Sequence, residues 1–228
     1  MSPTVVGIDG ARGGWAVAQW AATTGLSLSL EESITSVTAR LSSGVLTAAV
    51  VDMPIGLSSD GIRPADALAR ARLGVRRSTF FPTPVRPILG EESWENANAV
   101  SRSVSGKGLS KQAWNLVPKV RELDEAWSPE IAALIVEGHP EVSFAQMAGG
   151  PLTSKKNTPA GRADRMHLLG AHLSPAVHQV VASCPTSWRT DAIDALALVW
   201  TARRFESGDA VRLGGEIDAE GRPMQLVI

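Results

Sequence analysis

Residues Thr4 to Trp15 read TVVGIDGARGGW, and the fold follows from how this stretch is placed. Val5, Val6 and Ile8 form a short β-branched run of the kind that fits a strand buried on both faces. The run ends in Asp9-Gly10, and Gly13-Gly14 lets the chain reverse sharply. Trp15 to Trp20 (WAVAQW) then reads as the returning strand. A carboxylate at the tip of a buried strand is poorly solvated and needs a partner. Asp9 is therefore the first candidate for chemistry.

Working outward, Leu26 to Leu30 (LSLSL) alternates with a period of two and predicts a half-exposed third strand, completing an antiparallel meander. Ile34, Val37 and Leu41 mark a short amphipathic helix that stops at Gly44. Leu46 to Val51 (LTAAVV) is a second buried strand ending in Asp52-Met53-Pro54, where the proline cannot continue the ladder. Residues 55–130 read as an insertion packed on the core. It holds helices over 65–73, 94–101 and 111–127, with Pro118 expected to kink or split the last. Between the first two lies a stiff proline loop, Phe80 to Pro87 (FFPTPVRP). Ile131 to Val136 is the third buried run, and it ends in Glu137 followed by Gly138-His139-Pro140. A helix over 141–147 comes next. The basic, turn-rich stretch 153–164 (TSKKNTPAGRAD) leads into a helix through Leu173, and the last long helix opens near Thr190-Asp191 and runs to about Phe205. Two short strands around Val211 and over 225–228 are expected to pair. This order predicts an α/β fold over residues 1–228: a mixed sheet, antiparallel meander plus parallel strands, with helices on both faces.

A chain of 228 residues is long enough for one well-buried domain. Its net charge of -1 excludes an overall basic field, so any polyanion contact must be a local patch. The single cysteine, Cys184, excludes an internal disulfide and suits a reducing compartment. The start of the chain lacks a signal-peptide pattern, and no run approaches the roughly 18 apolar residues of a membrane helix. A cytoplasmic protein with no membrane partner is expected.

Three buried strands thus each end in an acid: Asp9, Asp52 and Glu137. Ligands of open α/β sheets bind just beyond the carboxyl ends of parallel strands. If these strands are neighbours, their carboxylates converge in one crevice. Asp191 and Asp194 lie three apart on one face of the last helix. Asp194 sits in the apolar stretch AIDALALVW, where an unpaired charge is costly. Gathered carboxylates repel unless a cation sits among them, and Mg²⁺ or Mn²⁺ suits hard oxygen ligands. Two such ions can clamp the attacking and leaving oxygens of a phosphodiester. The residues therefore point to a metal-dependent nuclease.

The order of strands with acids at their tips, together with Asp191-x-x-Asp194-Ala195-Leu196, resembles the ribonuclease H-like superfamily, especially its Holliday-junction-resolvase branch. More closely, GIDGARGGW, VVDMPIGL, TFFPTPVR, GLSKQAW, EGHPEVSF, TPAGRADR and DAIDAL look like the predicted-nuclease family filed as domain of unknown function 429. The resemblance covers nearly the whole chain. It implies a ribonuclease H-like metal-dependent nuclease fold with Asp9, Asp52, Glu137, Asp191 and Asp194 on the acidic positions. No substrate is carried over.

Plainer readings stand beside these. Asp9 could be a hairpin turn residue, and Asp52 a turn acid accepting backbone N–H groups before Pro54. Glu137 could pair with an arginine, and Asp191 could serve the first turn of its helix. His139 could activate or orient a water from behind the metal ligands, although a histidine before proline is more often a turn residue. Lys155, Lys156, Arg162 and the neighbouring Arg165 are candidate phosphate contacts against a default of solvated charge. Arg70, Arg72, Arg76 and Arg77 form a second basic cluster of the same ambiguity. Trp15, Trp20, Trp114 and Trp200 read as packing residues, and Cys184 as a buried structural thiol. Gly106-Lys107-Gly108 lacks the spacing and context of a phosphate loop. The expected partner is nucleic acid, DNA or RNA undecided, with a homodimer open. The competing function is a non-catalytic module of the same fold that binds nucleic acid or a protein. A two-lobed phosphotransferase needs a second such domain, which the chain is too short to supply.

Overall fold

The structure, a computed structural model, describes residues 2–228. Strands β1 (Thr4–Ala11), β2 (Gly14–Ala21) and β3 (Gly25–Glu31) form the antiparallel meander. Helix α1 (Thr35–Ser42) leads to β4 (Ala48–Val51), which pairs parallel to β1. The segment after β4 carries α2 (Pro64–Leu73), α3 (Trp94–Ser105) and α4 (Lys111–Ala126) before the chain returns as β5 (Ile135–Glu137), parallel to β4. Then follow α5 (Pro140–Met147), α6 (Pro159–His172), α7 (Val177–Ser183) and α8 (Arg189–Ser207). Strands β6 (Arg212–Ile217) and β7 (Pro223–Val227) pair in a separate two-stranded sheet. The main sheet has the order β3-β2-β1-β4-β5, a mixed α/β arrangement as expected. Among the described residues no helix is long and apolar enough to cross a membrane.

Strand alternation divides the core. Val5, Ala16, Ala18, Ala48 and Val50 pack on one face with α8, α6 and α7. Val6, Ile8, Val17, Ala49 and Val51 pack on the other with Ile34, Val37, Leu41 and the α4 residues Val120 and Leu123. Helix α8 lies directly on β1 because Gly7 has no side chain. A Cβ at Gly7 would stand 2.1 Å from the carbonyl oxygen of Ala195. Both partners in that contact are backbone, so neither can yield.

Several expectations need correction. Asp9-Gly10 does not end the first strand: Asp9 pairs with Ala16, Gly10 with Trp15 and Ala11 with Gly14. The turn is Arg12-Gly13, with Gly13 at φ 84°, so Asp9 is a strand residue and not a turn residue. The apolar run from Ile131 is mostly a turn, with the Leu134 and Ile135 N–H groups bonded back to the Ile131 carbonyl, and only its end joins the sheet. Periodicity alone cannot separate such a turn from a buried strand. Helix α4 runs unbroken through Pro118. Helix α6 starts at Pro159, where Thr158 caps the Gly161 N–H, inside the stretch read as a loop. The short α7 was not anticipated.

Candidate functional site

The register of the parallel strands brings the acids together. Ile8 pairs with Val51, and the Asp52 N–H donates to the Ile8 carbonyl at 2.8 Å, so Asp52 lies beside Asp9 at the sheet's carboxyl edge. Alternation turns both toward α8: Asp9 follows Val5 and Gly7, and Asp52 follows Ala48 and Val50. The α8 helix presents Asp191 in its first turn and Asp194 one turn on. All four line one cavity of about 590 Å³.

Glu137 is different. It pairs in register with Val51, two residues after Ile135, and both of those pack on the opposite face. There Arg63 grips it with two 2.7 Å bonds, Nη1 to Oε2 and Nη2 to Oε1. The Ile55 N–H adds a bond at 3.3 Å. Arg63 also binds Asp66 at 2.6 Å and the Gly56 carbonyl at 2.8 Å, and its side chain is 1% exposed. Glu137 borders the cavity, but its oxygens serve this buried network. A similar pair flanks the site from behind, where Arg165 binds Glu141 at 2.7 and 2.8 Å.

The four aspartates are crowded and largely buried, with one lysine among them. Among the described residues neither Asp9 nor Asp52 belongs to an ion pair. Burial, then the Asp52 and Asp194 charges, hold the Asp9 carboxyl well above the usual range. Burial and the Asp194 charge push Asp52 to about 8, against the pull of Lys156. Asp191 and Asp194 are raised as well, burial leading in each case. One cation has entered the cluster: Lys156 Nζ donates to Asp194 Oδ2 at 3.0 Å. Its own pKa rises chiefly through Asp194, with Asp9 and Asp52 adding to the effect.

His139 lines the same cavity and stacks on Phe80, with ring centroids 4.9 Å apart. Burial, with Lys156 nearby, lowers its pKa to about 3, so the imidazole is neutral, and its Nδ1 is buried without a partner. Lys155 also lines the cavity. Arg162 does not; it is exposed on α6, while Arg165 is locked to Glu141. Arg76 lines the cavity, whereas Arg70 is tied to the Phe80 carbonyl and Arg72 to Gln146.

Three contributors were not anticipated. The proline loop, read only as stiff, supplies Phe80 to Pro84 as one wall of the cavity. Helix α4 adds Leu116 and Val120 to it. Lys119 of the same helix bonds the Gly14 carbonyl and sits 4.3 Å from the Trp15 ring centroid, and burial lowers its pKa. These contacts join segments far apart in the chain, and no local pattern announces them.

Among the described residues, no group of three or more His, Cys, Asp or Glu side chains stands close enough together to hold a metal ion. The chemistry of the donors nevertheless fits a hard divalent cation. Asp9, Asp52 and Asp194 are oxygen donors that share one cavity, the Asp194 charge raises the pKa of the other two, and the Lys156 ammonium stands as counter-ion to Asp194.

The family model described as "Protein of unknown function (DUF429)" matches residues 7–219. No curated protein and no solved structure matches the chain.

Proposed function

The chain belongs to the DUF429 family, whose description carries no activity, and we propose from its own cavity that it is a Mg²⁺- or Mn²⁺-dependent nuclease hydrolysing phosphodiester bonds. The observation that carries this reading is the convergence of Asp9, Asp52, Asp191 and Asp194 on one cavity, with burial raising all four pKa values and the Asp194 charge adding to the rise at the other three. Evolution of a stable fold alone gives no reason to collect such charges without arginines, as the contrasting treatment of Glu137 makes plain. The antiparallel meander followed by parallel strands supports assigning the sheet to the ribonuclease H-like class.

In this reading Asp9, Asp52 and Asp194 would hold the metal, and Asp191 would complete the set from the mouth of α8. Bound divalent ions supply Lewis acidity toward the phosphate oxygens and lower the pKa of an attacking water. The residues themselves do the positioning. Asp9 and Asp52 are fixed by the β1–β4 register, and Asp194 by the seat of α8 on Gly7. Lys156, whose 44% exposed side chain pairs with Asp194, and Lys155 beside it are the cations that would meet a substrate phosphate. Neutral His139 can accept or donate a hydrogen bond through its free Nδ1 at the rim of the acid cluster. Glu137 keeps Arg63, and through Ile55 it holds the loop after Asp52 in place.

Asp9→Asn tests the proposal. With an unchanged fold by circular dichroism, the variant loses metal-dependent cleavage of oligonucleotides. Undiminished turnover would refute the assignment. A second reading, a non-catalytic module of the same fold, is favoured by one observation: Asp194 already has a counter-ion in Lys156. Calorimetry separates the two, since a scaffold takes up no Mn²⁺ that depends on Asp9 or Asp52.

A further inference from the structure

The two sides of the cavity are chemically opposed. One carries the aspartates; the other is the proline loop, with Phe81 and Leu116 turned to the solvent-filled space. Phe81 is 44% exposed and Leu116 38% exposed, though both are apolar. Exposed apolar surface gathered inside a cavity marks ligand contact rather than packing. Pro82 and Pro84 flank Thr83 immediately after Phe81, so the ring is carried on backbone with little freedom to lose. Arg76 and Lys155 supply cationic groups around the same space.

Resting on the nuclease reading above, we infer that the site takes an unpaired nucleotide of a single-stranded or frayed strand, with Phe81 stacking on its base while its phosphodiester faces the divalent ion that the aspartates would hold. The cavity, about 590 Å³, is the size of a small-molecule pocket. It has room for a single nucleotide. Within a duplex both faces of every base are covered by neighbouring pairs. An aromatic ring on a protein loop therefore reaches a free base face only where the strand is unpaired. Such stacking tolerates any base, which predicts selection by strand structure and not by sequence.

The test is binding, measured by fluorescence anisotropy with Ca²⁺ in place of Mg²⁺. The probes are a short fluorescein-labelled oligonucleotide, single-stranded or annealed to its complement, made in DNA and in RNA. The native protein binds the single strand more tightly than the duplex. Phe81→Ala weakens single-strand binding by about tenfold, the effect of removing one stacked base, and Phe81→Trp retains it. Because Phe81 is exposed, thermal melting of both variants matches the native protein. Equal affinity for duplex, or an unaffected Phe81→Ala, overturns the inference while leaving Asp9-dependent cleavage intact. Absence of both binding and cleavage removes the nuclease reading and this inference with it.

Discussion

Glu137 and Asp52 close neighbouring parallel strands, yet they meet opposite surroundings. On one face of the sheet Glu137 is sealed against Arg63 with bidentate geometry, and Asp66 shares the same guanidinium. On the other face Asp52, Asp9 and Asp194 crowd together with a single lysine among them, and that lysine's side chain is 44% exposed. The first arrangement is what a fold does with a buried acid it must keep quiet. The second leaves charge in want of a cation. Carboxylates at strand ends are thus not equivalent; the face to which alternation sends them decides whether they serve stability or chemistry.

Substitution should expose this difference most strongly. Arg63→Met strips the counter-charge from Glu137 and Asp66, and unfolding in urea should record a loss of about 3–5 kcal/mol. Asp52→Asn should act in the opposite sense above pH 8, where Asp52 is ionised, raising the Tm of the metal-free protein because it removes a charge that burial and Asp194 oppose. Equal destabilisation by both would abolish the distinction between the two faces.

The pH dependence of stability sharpens the same contrast. Asp52 in the folded protein holds its proton up to about 8, whereas the unfolded chain releases it near the ordinary carboxylate value of 3.8. Between these values the folded state binds more protons, so its stability falls as pH rises. Asp9, Asp191 and Asp194 are shifted in the same direction. Thermal melting in EDTA should therefore give a lower Tm at pH 8 than at pH 6, and Mn²⁺ should flatten the slope. Asp218, lowered by its Leu57 and Arg222 N–H bonds and by Arg86 despite burial, works the other way; its contribution is lost only as pH drops below the normal carboxylate range. A Tm that climbs from pH 6 to 8 without metal would contradict the account of the cluster.

The smallest effect is expected at the lysine. Lys156→Met removes the cation bonded to Asp194 and should tighten Mn²⁺ binding several-fold in calorimetry, with a modest fall in the metal-free Tm. Weaker Mn²⁺ binding would mean that Lys156 assists the ion instead of competing with it.

Much of the sheet was legible because β-branched runs and their terminal acids are local signals: Val5 to Asp9 and Ala48 to Asp52 could be placed by pattern alone. Asp191 and Asp194 were visible through their spacing in an apolar helix. The fate of Glu137 was harder, since a one-residue difference in alternation reverses the face and its partner Arg63 comes 74 positions earlier. Arg63 sits in a loop before α2 and carries no periodic mark. The destination of the proline loop was equally hidden, because stiffness can be read from prolines but direction cannot. Hairpin turn and strand could not be told apart at Asp9-Gly10, where the dipeptide favours a turn but the ladder continues to Ala11.

The missing side chain at position 7 has a mechanical consequence. With α8 seated backbone to backbone on β1, the gap between Asp194 and Asp9 is set by bulk that is absent, and the helix has no room to slide inward or rotate. Any adjustment needed to admit or release a cation must then fall to the Lys156 side of the pocket, which reaches Asp194 from an exposed loop and not from the sheet. The acids thus rest on a backbone-to-backbone seat, and their counter-ion on an exposed loop.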